Sequence, residues 1–266
     1  SEEALSHLTN LSNYVGDVAN ITPLNSRPFV GRSAFAHKGG VHVSAILKNP
    51  LAYEHIAPEL VGNKQRVLVS DLAGKSNIEY KARELGIDLG QHNGVSRRIV
   101  DEIKRLEDEG YQFDAAEGSL SLLIKKITGE FVEPFTLECF HVIASKTAHH
   151  PSLAQATIKI SVGGEEELTA AEGNGPINAL DNALRKALTK FYPQLGRMHL
   201  TDFKVRIVEG SEGTAAKVNA TIESQDEDDT WTTIGVSENV IEASWLALVD
   251  SLQYKLSKDR VNRNSR

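Results

Sequence analysis

Apolar residues fall at helical spacing from the start of the chain: Ala4, Leu5, Leu8, Leu11, Val15, Val18 and Ala19 share a face and predict one amphipathic helix, closed by Asn20 and Pro23. The run 21–32, with Pro23, Asn25, Pro28 and Gly31, cannot hold regular structure and reads as a linker. Residues 41–47 predict a short helix stopped by Asn49-Pro50, and Tyr53 falls on a further short turn before Pro58. An extended segment at 66–69 precedes a turn at 74–77 that caps a helix over 78–85. Two more helical stripes follow, one through Val95, Ile99, Ile103 and Leu106 and one through Leu120, Leu123, Ile124 and Ile127; Gly110 and Gly129 end them. Their charged faces read as solvated surface.

Over 131–134 the pattern changes from the helical repeat to the alternation of strands, which marks a domain boundary. Strands are predicted at 135–144, 156–162 and 165–170, then a helix at 177–191; the same order returns at 203–208, 216–223, 230–236 and 240–256. The two halves match at one ungapped offset. Ile143 falls with Ile207, Ala156 and Ile158 with Ala220 and Ile222, Thr169 with Thr233, and Ile177, Ala183 and Leu188 with Ile241, Ala247 and Leu252. Two copies of a βββα unit related by a pseudo-two-fold axis are the expected result. The fold class is therefore α+β, a helical segment followed by a doubled βββα domain. Residues 258–266 read as a polar, frayed tail.

Bulk composition narrows the function classes. A formal net charge of −7, with acids in both halves, gives no nucleic-acid footprint. No apolar run is long enough to span a bilayer, and no signal-peptide pattern is present. Cys139 is the single cysteine, which excludes an intrachain disulfide and fits a reducing cytoplasm. The chain opens on Ser1 and its only methionine is Met198, so it reads as a piece of a longer protein.

The densest chemistry lies between Ala34 and His55: His37, Gly39-Gly40, His42, Tyr53 and His55. Histidine exchanges protons near neutral pH, and the glycine pair lets the backbone turn or approach a ligand just before His42. Composition alone favours hydrogen-bonded structural histidines over catalytic ones. A second candidate is the pair of strand-to-helix junctions, Gly173-Asn-Gly-Pro-Ile177 and Gly235-Val-Ser-Glu-Asn239, where free amides of a first helical turn can hold a carboxylate. An ordinary turn is the simpler reading from residues alone. Lys75-Ser76 after Gly74 ends like a phosphate-binding loop, but Val69 stands where that loop needs its first glycine, so nucleotide binding is rejected. The run 226–229 reads as a solvated acidic turn, His149-His150 as a loop pair with no zinc spacing, and Trp231 and Trp245 as core or a subunit contact.

AFAHKGGVHVSAILKNPLAYEHI followed by PELVGNKQRVLVSDLAGKSNI resembles the region after the catalytic barrel in the α-isopropylmalate synthase family, which includes citramalate synthases. LECFHVI, ATIKI, EGNGPINALDNALRKAL, LTDFKVRI and GVSENVIEASWLALVDSL resemble its regulatory domain, and the citramalate branch matches best. The resemblance implies a linker helix and loop at 1–32, helical linker subdomains at 33–130, a dimeric regulatory domain at 131–257 and a tail at 258–266. It implies that the N-terminal catalytic TIM barrel, with its divalent metal and most catalytic groups, is absent here. This piece alone would then be inactive and hold no cofactor or metal. Family members condense acetyl-CoA with a 2-oxo acid, here pyruvate. The resemblance makes His42 and Tyr53 catalytic residues completing a partner subunit's barrel, with His37 a weaker third. It makes Gly173, Gly175 and Ile177 the effector-binding turn, with Phe203 at the pocket. The implied partners are a second copy of the chain and a branched-chain amino acid, isoleucine or alternatively leucine. A stand-alone amino-acid sensor is the rival reading, against which the stretch from Ala34 to His55 argues.

Overall fold

The computed structural model describes residues 2–19, 21, 24–31, 33–46, 48–68, 75–85, 87, 89, 94–146, 152–208 and 213–264. Val69 and Gly74 of the rejected phosphate loop, and His149-His150, lie outside the described residues. Contacts divide the chain into two compact units, 1–104 and 105–266. Helix α5 (Val95–Asp108) runs across the division.

In the first unit the single predicted N-terminal helix is two, α1 (Glu2–Leu5) and α2 (Leu8–Ala19). The break has a local cause. The Ser6 hydroxyl donates to the Glu3 carbonyl (2.8 Å), and the Ser6 carbonyl lies so close to Gly62 that a Cβ there would sit 2.1 Å from it. Gly62 is left-handed (φ 69°), so glycine is required on both counts. Helix α2 turns its small and polar side inward: Thr9 Oγ1 donates to the Val61 carbonyl (2.7 Å), Arg27 reaches Ser12 Oγ (3.2 Å), and Gly16 is buried. Leu11, Tyr14, Val15 and Val18 face outward.

Within the predicted linker, residues 24–31 form turns, with Arg27 N–H bonded to the Leu24 carbonyl and Ser33 N–H to the Asn25 carbonyl. The Asn63 amide then donates to the carbonyls of Phe29 and Gly31 (2.8 and 3.0 Å). Beyond it, β1 (Ala36–His37) pairs in parallel with β2 (Arg66–Val67). Helices α3 (Gly40–Ile46) and α4 (Lys75–Glu84) accompany them. Val43, Ile46 and Val67 form their core, with Tyr80 of α4 against it. Buried Asn77 ties α4 to the strand ends, donating to the carbonyls of Lys38 (2.9 Å) and Leu68 (3.1 Å).

The second unit carries the doubled βββα pattern. Antiparallel β3 (Thr136–Ser145), β4 (Leu153–Val162) and β5 (Glu165–Gly173) precede α7 (Pro176–Leu188). Strands β6 (His199–Ile207), β7 (Val218–Gln225) and β8 (Thr230–Ser237) precede α8 (Val240–Asn264). The core joins β4, α7 and α8 through Ile158, Ile160, Leu180, Leu184, Leu248 and Leu252. Both tryptophans belong to it. The repeat extends to hydrogen bonds: Thr169 Oγ1 donates to the Ala183 carbonyl (2.8 Å) and Thr233 Oγ1 to the Ala247 carbonyl (2.7 Å).

Five expectations are corrected. The offset is constant over the second strand, third strand and helix but not over the first strand. Phe140 opposes Ile158 and Phe203 opposes Ile222, so the mate of Ile143 is Arg206 rather than Ile207, and the second copy holds one more residue between its first two strands. Likewise Gly235 lies inside β8; the mates of Gly173 and Gly175 are Ser237 and Asn239. The tail is not frayed from Lys258, because α8 continues to Asn264 and Lys258 faces Asp229 at 3.3 Å. Nor is the acidic run simply solvated. Asp226 is buried; its Oδ1 accepts the amides of Asp228 and Asp229, and its Oδ2 lies 2.7 Å from Lys255 Nζ. The compact unit also starts before the change of periodicity. Helix α6 (Glu117–Thr128) is bound to α8 and β8 through Ser119, whose hydroxyl donates to Asp250 (2.7 Å) and accepts the Ile234 amide (3.0 Å).

Candidate functional site

Two groups of candidate residues fall in different units. In the first, the Gly39 carbonyl accepts the Val43 amide (3.0 Å), so the glycine pair opens α3. Neither glycine is left-handed. Val43 and Ile46 point into the core, which leaves His42, one position earlier, exposed. Asn49 then turns the chain, its Oδ1 accepting the Leu51 amide (3.2 Å), through a 3-10 turn at Pro50–Ala52 that delivers Tyr53. The rings of His42 and Tyr53 stack, with centroids 4.2 Å apart and planes at 27°. Tyr53 is nevertheless 49% exposed, so the pair presents a ring nitrogen and a phenol to the outside.

His37 is placed differently. It is buried on β1, and its Nε2 lies 3.0 Å from Oε1 of Glu54, which is itself only 5% exposed. The same oxygen accepts from Gln65 Nε2 (2.9 Å). An ionised carboxylate only accepts, so His37 is the donor at Nε2. The structure thus brings His42 and Tyr53 together and gives His37 an interior partner. Sequence reasoning missed Glu54 and Gln65. Glu54 stands between two noted residues, but nothing in its spacing signals burial.

In the second unit, Gly173 ends β5 where the strand meets α7 so closely that a Cβ would sit 2.4 Å from the Ala179 amide nitrogen. Gly175 precedes α7 in extended conformation without a side-chain cap, and a Cβ there would meet nothing within 4 Å. Its mate in the repeat, Asn239, caps α8: Asn239 Oδ1 accepts the Ile241 amide (2.9 Å). The first turn of α8 is therefore satisfied from within the chain, while that of α7 has no such side chain. Ile177 packs on the core. Phe203 lies in the other sheet, on β6, and is 40% exposed. The repeat explains this exposure. Its mate Phe140 packs on Trp245 (5.1 Å), whereas the position matching Trp245 is Asp181, bonded to Arg185 (2.7 Å). Burial pushes the Asp181 carboxyl up, and Arg185 opposes this only in part.

Among the described residues no three His, Cys, Asp or Glu side chains come together as a metal site.

Residues 114–256 match the family described as the LeuA allosteric (dimerisation) domain, and residues 29–111 match the homocitrate synthase post-HMGL domain-like family. Over 97% of its length the chain is 52% identical to an (R)-citramalate synthase of Aquifex aeolicus, and over 97% it is 51% identical to one of Geobacter sulfurreducens. A 2-isopropylmalate synthase of Methanocaldococcus jannaschii is 27% identical over 94% of the chain. The chain spans about half the length of these relatives, 49%, 49% and 47% respectively. The repeated βββα unit and the segment before it are thus similar to part of these enzymes, and the chain belongs to the family of the LeuA allosteric (dimerisation) domain.

Proposed function

We propose that this chain is the linker and regulatory part of a citramalate synthase, an acyltransferase joining acetyl-CoA to pyruvate. Identity above half to citramalate synthases over nearly the whole chain, against 27% to an isopropylmalate synthase, carries this reading. The exposed His42 and Tyr53 pair is its chemical part. A stacked imidazole and phenol on a surface complete a site supplied by another body: the phenol orients the thioester carbonyl or water, and the imidazole moves or holds a proton there. The catalytic barrel and its divalent metal belong to the rest of the enzyme, so the chain alone is inactive. It acts in the cytoplasm; no helix among the described residues is long and apolar enough to cross a membrane.

The regulatory part is proposed to act as a homodimer and to bind isoleucine as a feedback inhibitor. Gly173, Gly175 and Ile177 form the turn that takes the effector carboxylate at the uncapped start of α7, and Phe203 offers half-exposed apolar surface to a side chain.

Calorimetric titration of the chain with isoleucine, leucine and valine tests this. Saturable binding of isoleucine alone is expected. Leucine alone would move the assignment to an isopropylmalate synthase, and no binding to a folded dimer would remove the effector site. Turnover of pyruvate in preference to 2-oxoisovalerate by the complete enzyme is the matching catalytic test.

A further inference from the structure

We infer that Glu54 is a positioning residue for the His42 and Tyr53 pair, and that His37 serves with it rather than in proton transfer; this rests on the catalytic reading of that pair. Glu54 follows Tyr53 directly, so whatever fixes one fixes the other. Its carboxylate sits inside the unit, where an unpaired charge is costly, and a single oxygen takes two donors from different elements. His37 comes from β1, and Gln65 immediately precedes β2. These two-residue strands are paired with each other, with the Arg66 amide on the Phe35 carbonyl and the Leu68 amide on the His37 carbonyl (both 2.9 Å). Glu54 is therefore clamped to a fixed two-strand frame.

The frame also holds His42. Val43 and Ile46 seat α3 on Val67 of β2, and Asn77 bonds the Lys38 carbonyl two residues before α3 begins. The frame thus holds both rings, His42 through the core beneath α3 and Tyr53 through the Glu54 clamp. Short elements with few buried apolar contacts would not otherwise fix a ring to a few tenths of an ångström. His37 is excluded from proton exchange at the outer face because its Nε2 is committed to Glu54 and its ring is buried.

The test compares His37→Gln with His37→Leu, and Glu54→Ala with the unaltered chain. A glutamine amide reaches the place of Nε2 and still donates to Glu54; leucine does not. The readout is the upfield ring-current shift that Tyr53 imposes on the His42 ring protons in NMR spectra of the whole chain. Methyl resonances of Val43, Ile46 and Val67, the core beneath α3, report that the unit carrying the variants is folded. H37Q should keep the shift, and H37L and E54A should lose more than half of it. In the complete synthase H37Q should retain turnover within about threefold, while E54A should lower kcat on the order of tenfold or more through misplacement. An unchanged shift in E54A and H37L overturns the inference, as does an H37Q enzyme as inactive as His42→Gln. If E54A does not fold, the H37L and H37Q contrast decides by the same shift. A fully active His42→Gln enzyme would instead overturn the catalytic reading, while the effect of Glu54 on the ring shift would stand.

Discussion

At the scale of single residues, the repeat supplies its own controls, because each position has a mate that evolved under the other demand. Gly175 and Asn239 occupy the same place before their helices, and only Asn239 closes its helix with a side chain. Gly175 is extended with open space at its Cβ, so Gly175→Asn is expected to fold, cap α7 as Asn239 caps α8, and weaken isoleucine binding about tenfold or more in calorimetry. Two aspartates, buried Asp226 and half-buried Asp250, make an opposite pair. For Asp226, burial raises the carboxyl, but Lys255, the amides of Asp228 and Asp229, and Lys258 outweigh it and hold it at about 2. A depressed acid contributes stability above its unfolded pKa and loses it as the pH falls through the folded value. The shift corresponds to about 2 kcal/mol. Asp226→Asn should therefore cost roughly that much in urea denaturation at pH 7, with the difference closing between about pH 4 and pH 2. Burial instead pushes the Asp250 carboxyl up, with Lys126 and Ser119 opposing it in part, so its ionised form weakens the fold near neutral pH and the penalty fades as the pH falls. Asp250→Asn, which keeps the oxygen that Ser119 bonds, should be neutral or stabilising at pH 7.

At the scale of elements, α6 decides where the second unit's βββα core begins to be built. Strand β8 is an edge of its sheet, and the Ser119 hydroxyl takes up its Ile234 amide, which would otherwise be an open edge donor. Gly118 allows the approach, since a Cβ there would lie 2.9 Å from Thr233 Cγ2 and 3.0 Å from the Thr232 carbonyl. About two turns further on, Lys125 Nζ donates to Ser257 Oγ (2.7 Å) on α8, and burial lowers the Lys125 ammonium. Ser119→Ala leaves a buried strand amide and a carboxylate oxygen without their partner, so it should cost about 1–3 kcal/mol in denaturant unfolding. Ser121→Ala, on the same helix, removes a hydroxyl that lacks a hydrogen-bond partner and should cost far less.

At the scale of the whole molecule, the described residues of each unit form a core of their own. Val43, Ile46, Val67 and Tyr80 hold the frame behind His42 and Tyr53, and a far larger cluster holds the βββα pair. Both tryptophans belong to the second. Tryptophan fluorescence therefore reports the second unit alone, whereas far-ultraviolet circular dichroism reports both. The two denaturation curves should not coincide, and the fluorescence transition should fall at higher denaturant, because the first unit buries less apolar surface. Isoleucine should move the fluorescence transition upward by mass action.

Sequence by itself determined the elements and their doubling. Alternation and helical spacing are local properties of the chain, and a repeat shows in any stretch that keeps its register, so the strands of both copies, α7 and the start of α8 were legible. The motif from Ala34 to His55 also marked His42 and Tyr53, whose rings stack in space. Tertiary structure alone decided which histidine faces outward. Burial depends on what packs behind a residue: His37 is buried on β1 against Glu54, while His42 stands on the outer side of α3 beside Tyr53. It also decided the slip of one residue in the first strand of the second copy, because strand pairing is fixed across the sheet rather than along the chain. The same holds for Asp226, whose partner Lys255 arrives from α8, and for α6, whose attachment depends on one hydroxyl meeting a strand edge more than a hundred residues away.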